Sequence, residues 1–258
     1  MSGSQTSADE QLARLQDELA AARAELQEFT YTVSHDLRAP LRHITSYVQV
    51  IQEDWSDMPA DVADHLATIE QSAQLLARQL DGLTQLSRLG LQPLQLQAVD
   101  VGALVQEVAA ALTQRLPSSP VQWQLARDVP LVRADAGLLR QVLMQVLDNA
   151  LKFSRHRAPA QVALTWQLCP ADQPAGVPLC QIRVCDNGVG FNPGQAQALF
   201  KVFGRLHPAR EFEGLGLGLV TSRKIMGRLG GSIGMEAEPE RGCCVTLRLP
   251  LAEATPSE

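Results

Sequence analysis

Apolar residues at Leu12, Leu15, Leu19, Ala22, Leu26, Phe29 and Val33 alternate steps of three and four in a background rich in Ala, Glu, Arg and Gln. That spacing puts them on one narrow seam of a helix. A stripe of two residues in seven is too thin to cover a globular core, so the segment is expected to pair with a second copy as a parallel coiled coil. The pattern runs on through Leu37, Leu41, Ile44, Val48 and Ile51 until Trp55-Ser56-Asp57-Met58-Pro59 supplies turn residues. A second seam follows at Val62, Leu66, Ile69, Ala73, Leu76, Leu80, Leu83 and Leu86, closing near Gly90 and Pro93. Two antiparallel helices joined by a short turn make a hairpin. So much apolar stripe is best buried when the hairpin pairs with its copy, which predicts a homodimer built on a four-helix bundle.

Beyond Pro93 the texture changes to alternating elements. Strands are expected at 95–99, 121–125, 131–133, 162–168, 179–185, 232–236 and 244–249, with helices at 101–116, at 136–153 and after Gly214. Helices interleaved with strands in this way predict a layered α/β domain, an α/β sandwich with helices packed on a mixed sheet. The fold class is therefore α followed by α/β. Residues 1–8 and 253–258 are expected to be disordered.

Composition excludes several functions. With 22 Lys and Arg against 28 Asp and Glu, the net charge of −6 leaves no basic surface for nucleic-acid phosphates. No stretch approaches 18 consecutive apolar residues and the first ten residues are polar, so neither a membrane span nor a signal peptide is expected and the chain is placed in the cytoplasm. The five cysteines show no C-x-x-C spacing and no histidine cluster, so they are expected to be reduced thiols in strands.

At 100° per residue, and with Val33 as zero, the seam residues from Leu37 to Ile51 fall between about 0° and 80°, whereas His35 falls near ~200°. His35 points away from the seam. Asp36 follows it and can accept from the imidazole Nδ1–H, leaving Nε2 bare as a nucleophile. Arg38 and Arg42, at about 140° and 180°, share the exposed side and are candidates to attract a phosphoryl group or an acidic partner, a solvated charged face being the alternative. Pro40 removes the hydrogen bond to the Asp36 carbonyl and is expected to kink the helix beside the nucleophile.

Three segments of the second domain match what a nucleotide needs. Gln145, Asn149 and Lys152, spaced i, i+4, i+7, form one polar stripe beside Val142, Val146, Ala150 and Phe153, suited to Mg²⁺ and a triphosphate. Asp186-Asn187-Gly188-Val189-Gly190-Phe191 follows an apolar strand. The carboxylate is a fixed acceptor for an exocyclic amine, and the glycines let backbone approach a flat ring. Gly214-Leu215-Gly216-Leu217-Gly218-Leu219 opens a helix whose N–H groups suit phosphate oxygens. A dinucleotide-binding βαβ unit is disfavoured, because the glycines come late and no acid sits on a second strand at the right distance.

The segment Ser34-His35-Asp36-Leu37-Arg38-Ala39-Pro40-Leu41 resembles the H-box of sensor histidine kinases. Asp148-Asn149-Ala150-Leu151-Lys152-Phe153-Ser154 resembles their N-box, and the Asp186 and Gly214 segments their G1 and G2 boxes, with Leu199-Phe200-Lys201-Val202-Phe203 as the F-box. Arg205-Leu206-His207 followed by Glu211-Phe212-Glu213-Gly214 looks closest to the phytochrome-like and related soluble sensor kinases. The resemblance implies a transmitter with a coiled-coil linker within 1–28, a dimerisation and phosphotransfer hairpin over 29–90, a linker over 91–98, an ATP-binding domain of the gyrase/Hsp90/histidine kinase type over 99–251 and a tail over 252–258. It further implies that His35 accepts the phosphoryl group with Asp36 assisting, that Asp186 binds adenine N6 with Gly188 and Gly190 nearby, and that Asn149 ligates Mg²⁺. Lys152 and the Gly214, Gly216 and Gly218 backbone would meet phosphates, and Arg205, in a mobile lid over 191–213, would reach the γ-phosphate. The partners implied are a second copy, the receiver domain of a response regulator and a sensor input domain that is missing or separate.

The chain departs from the family at Gln145, where Asn is usual, at Leu215, where Thr is frequent, and at Lys201-Val202, where Glu-Pro is common. Ala39 stands where members that also dephosphorylate their partner usually carry Thr or Asn. Gln145 keeps open a scaffold that binds ATP but transfers poorly. An ATPase that couples nucleotide to shape change is a third reading, and it has no use for the His35–Asp36 pair.

Overall fold

The computed structural model of the chain describes residues 2–90, 92–115, 120–170, 177–208 and 210–252. They form two compact units that part between Gln92 and Pro93. Met1, the side chain of Leu12, the helix end at Leu116 and the tail at 253–258 lie outside the described residues.

The first unit is the expected hairpin, α1 (Ser2–Asp54) and α2 (Ala60–Arg88). The backbone at 2–8, expected to lack order, is helical. No proline interrupts it, and once a helix is nucleated each further residue adds a hydrogen bond. Pro40 sits inside α1, which continues through it. Pro59 precedes the first turn of α2, whose Val62 and Ala63 N–H groups bond to the Pro59 carbonyl. The hairpin buries Leu41 and Val48 of α1 and Ala73 and Leu80 of α2. Val33, Leu37, Ile44 and Ile51, on the same seam, stay 37–43 % exposed, as do Ile69 and Leu76 at 46 % and 47 %. Each helix therefore spends only part of its apolar stripe on its neighbour.

The second unit begins with β1 (Gln97–Val99) and α3 (Val101–Arg115), followed by β2 (Val121–Leu125), β3 (Val132–Ala134) and α4 (Ala136–Ser154). Then come β4 (Ala160–Cys169), β5 (Leu179–Asp186), a 3-10 helix (Pro193–Phe200), α5 (Gly218–Arg228), β6 (Ser232–Glu238) and β7 (Gly242–Pro250). The main sheet has the order β2-β4-β5-β7-β6, with β2 parallel to β4 and the other pairs antiparallel. β1 pairs with β3 in a separate ribbon, so residues 97 and 98, which the resemblance placed in a linker and the residue pattern in a strand, are strand.

Alternation explains the layering. Val162 and Leu164 of β4, Cys180, Ile182 and Val184 of β5, and Val245, Leu247 and Leu249 of β7 are buried on one face. Against them lies the apolar side of α4, with Leu139, Val142, Leu143, Val146 and Leu147 at 0–1 % exposure. Asp135 caps α4, accepting from Leu138 N at 3.0 Å, and its other oxygen takes the Gln95 N–H at 3.0 Å. The helix that carries the polar stripe is thus locked in rotation by its core face, which aims the stripe.

One expectation about cysteines fails. Cys185 and Cys244 stand directly opposite on β5 and β7 and form a disulfide, whereas Cys169, Cys180 and Cys243 are free. Spacing along the chain carries no trace of a pairing that only strand register creates.

Candidate functional site

On α1 the His35 side chain is 67 % exposed and that of Asp36 72 %. Asp36 Oδ1 lies 3.2 Å from His35 Nδ1. With the proton on Nδ1 this contact fixes the ring and leaves the Nε2 lone pair available. The Tyr31 ring lies stacked against the imidazole, centroids 6.4 Å apart, and the Arg88 guanidinium lies 5.3 Å from the Tyr31 centroid. Arg38 is not the free cation its helical position suggested. Its Nε and Nη2 donate to Asp81 Oδ1 at 3.0 and 2.8 Å, because the antiparallel hairpin brings α2 alongside it. Arg42 stays exposed.

In the second unit the polar stripe of α4 forms a connected group. Asn149 Oδ1 accepts from Lys152 Nζ at 3.1 Å and from Gln145 Nε2 at 3.4 Å. Burial holds the Lys152 ammonium below the ordinary lysine range, with Arg205 and Arg155 adding to the effect and Asp148 and Glu213 opposing it. The glycine-rich segment closes on this stripe. A Cβ at Gly218 would fall 2.2 Å from the Gln145 side-chain carbon, so the start of α5 lies directly against that amide, which would have to swing aside for any larger residue. The helix opens at Gly218 rather than Gly214, since Gly214 and Gly216 adopt φ of 134° and 71°, outside any right-handed helix.

Asp186 ends β5. One of its oxygens accepts from Gly188 N at 2.9 Å and from Cys243 N at 3.2 Å. Burial pushes its carboxyl up to about 6 against the pull of those two N–H groups. Gly188 packs onto the Phe153 carbonyl at the end of α4, where a Cβ would come within 2.6 Å, and Val189 N donates to the same oxygen at 3.2 Å. Asp186, Gly188 and the α4 stripe are therefore joined through Phe153.

The segment that follows carries features the sequence did not reveal. Phe212 is buried and packs on Phe153, centroids 4.9 Å apart, with His207 at 5.3 Å from Phe212. His207 Nε2 also lies 3.0 Å from the Gly190 carbonyl. Arg205 donates to the carbonyls of Gly214 and Phe212, so in this state its guanidinium braces the segment. The Phe153–Phe212 contact joins positions far apart in the chain, and periodicity carries no signal for it.

The donor set suits the implied cofactors. The Asn149 amide oxygen is a hard ligand, and no group of three His, Cys, Asp or Glu side chains able to hold a metal exists among the described residues. A cation held by one amide oxygen, phosphates and water is the habit of Mg²⁺.

Residues 134–253 match the family model of the histidine kinase-, DNA gyrase B- and HSP90-like ATPases, and residues 25–92 that of the His Kinase A phospho-acceptor domain. The chain is 34 % identical over 90 % of its length to the methanogenesis regulatory histidine kinase FilI of Methanothrix harundinacea, covering 25 % of that protein. To the phytochrome-like protein Cph1 of Synechocystis it is 30 % identical over 94 % of its length, covering 31 % of that protein. It thus spans between a quarter and a third of the curated relatives it matches. Among solved structures, full-length ShkA in complex with AMPPNP aligns at a TM-score of 0.59 and 25 % identity, over 88 % of this chain and 46 % of that one. Among the described residues no helix is long and apolar enough to cross a membrane.

Proposed function

Since this chain belongs to the two-component sensor histidine kinases and spans their transmitter region, we propose that it phosphorylates its own His35 from ATP and passes the phosphoryl group to an aspartate of a response regulator. The observation that carries this reading is the exposed imidazole whose Nδ1 lies 3.2 Å from Asp36. An imidazole held at one nitrogen and open at the other is the arrangement a nucleophile uses.

Phosphoryl transfer asks little covalent chemistry of a protein and much positioning. Asp36 holds the His35 tautomer in which Nε2 attacks the γ-phosphorus in line. Asp186 accepts from the adenine amine. Asn149 would hold Mg²⁺ through its amide oxygen, Lys152 would direct its ammonium to phosphate, and the Gly216 and Gly218 N–H groups would meet phosphate oxygens at the start of α5. Arg205 exchanges its two carbonyl partners for the γ-phosphate. Mg²⁺, when bound, spreads the charge of the transferring group. The exposed stripe at Val33, Leu37, Ile44, Ile69 and Leu76 supports a homodimer, closing as a four-helix bundle.

Incubation with γ-labelled ATP tests the reading. Label lost in acid and stable in base is expected on the wild type and absent from His35→Gln. Residual acid-labile label on that variant would remove His35 as the acceptor. A chain that binds ATP and never labels, whereas Gln145→Asn does, would favour the scaffold reading that Gln145 keeps open.

A further inference from the structure

Two loops meet at the adenine end of the nucleotide site, residues 187–190 after β5 and residues 239–241 between β6 and β7. Glu240 N donates to the Val189 carbonyl at 2.8 Å, and a Cβ on Gly190 would strike the Glu238 carbonyl at 1.9 Å, so the loops lie in direct contact. Arg157, in the turn between α4 and β4, is bonded to both. Its Nε donates to the Asn187 carbonyl at 3.0 Å, and its Nη2 to the carbonyls of Gly188 at 3.4 Å and Glu240 at 3.0 Å. The same Nη2 pairs with Glu240 Oε2 at 2.8 Å.

We infer that Arg157 is a positioning residue for purine recognition: its guanidinium fixes the 187–190 loop, and through Gly188 the orientation of Asp186, so that the carboxylate meets the amine of adenine. The inference rests on the reading of this site as an ATP site. Asp186 takes one bond from Gly188 N, inside the clamped loop, and one from Cys243 N, on the far side of the second loop. Arg157 sets the spacing between those two donors. A planar fork with donors in fixed directions suits this task, and a lysine, a single point of charge on a flexible stem, does not. Guanine offers a carbonyl where adenine offers an amine, so a well-held acceptor rejects it and a loosely held one rejects it less.

The test measures ATP and GTP dissociation constants by calorimetry on the full chain, the melting midpoint without nucleotide, and KM and kcat for labelling. Arg157→Gln is expected to raise the ATP dissociation constant and KM by about 10-fold, with kcat within about 2-fold, and to lower the ATP-over-GTP preference by roughly 5-fold. Arg157→Lys, which keeps the charge opposite Glu240, is expected to behave nearer to Arg157→Gln than to wild type. Equal weakening of ATP and GTP with a lowered midpoint would make Arg157 a support of the fold alone and overturn the inference. So would a variant with unchanged ATP affinity. A wild type that binds no ATP would overturn the nucleotide reading first, a result separable from both.

Discussion

The two units use the same apolar periodicity to opposite ends. In the second, the apolar face of α4 is fully covered by the sheet and the neighbouring helices, with Leu139, Val142, Leu143 and Leu147 at 0 % exposure. In the first, seam residues only one or two turns apart divide, Leu41 and Val48 buried and Leu37 and Ile44 exposed. A closed core fixes side chains to within a rotamer, which a nucleotide site needs. An open seam leaves a face for another molecule, which a relay needs. The stripe pattern predicts the helix in both cases, and only burial tells core from interface.

The largest expected effects separate the units chemically. His35→Gln should remove all labelling and leave ATP affinity as it was, whereas Asp186→Asn should abolish or greatly weaken ATP binding by turning a donor toward the adenine amine. Calorimetry beside the labelling assay reads both, and unchanged affinity in Asp186→Asn would mean that the adenine lies elsewhere.

Next come the cores. Leu143→Ala should destabilise the second unit by about 2–5 kcal/mol, independently of protein concentration. Ile44→Asp should leave that unit's midpoint untouched and lower the association constant of the chain, read by sedimentation. A monomer at micromolar concentration in the wild type would break the contrast, since the exposed seam would then have no partner.

The proton provides a smaller lever. Burial raises the Asp186 carboxyl to about 6, so it is protonated in the folded protein at pH values where the unfolded chain has already lost the proton. Its contribution to stability is present in full below the unfolded value near ~4 and is lost as pH rises through about 6. Adenine needs the charged acceptor, so ATP affinity should fall as pH drops through that same value. The difference in melting midpoint between wild type and Asp186→Asn, both without nucleotide, reads the carboxyl free of titration of the nucleotide. A difference flat between pH 4 and 7 would mean that burial does not raise this carboxyl.

Smallest is Gln145→Asn. Glutamine extends the amide by one methylene, and shortening it is expected to raise the labelling rate roughly 3- to 30-fold, or about 0.7–2 kcal/mol of transition-state stabilisation, with little change in ATP affinity. No change would leave Asn149 and Lys152 to carry the site.

What the sequence showed was local. Helix and strand periodicity placed β2 without error and α3, α4, β4 and β5 to within two residues, because side-chain alternation is a property of neighbours along the chain. The stripe of Gln145, Asn149 and Lys152 and the exposure of His35 followed from the same counting. The pairing of Cys185 with Cys244, separated by 59 residues, did not, nor did Arg38 with Asp81 or the reach of Arg157 to Glu240. Each depends on register or on a turn that brings distant residues together. The 3-10 helix at Pro193–Phe200 was missed for another reason: a single tight run of eight residues has no repeated apolar face to count.

The hairpin's contiguous core is Leu41, Ala73 and Leu80, with Ala77 partly covered, and Val48 and Leu89 are buried apart from it. Among the described residues these side chains are few against the conformational entropy of ordering two long helices, so on the proposed pairing of two copies the balance comes from association. Folding of this unit is then a second-order event, and the fraction of chains holding a formed hairpin is expected to follow the law of mass action. Dilution is therefore expected to melt the hairpin at a temperature where the second unit stays folded.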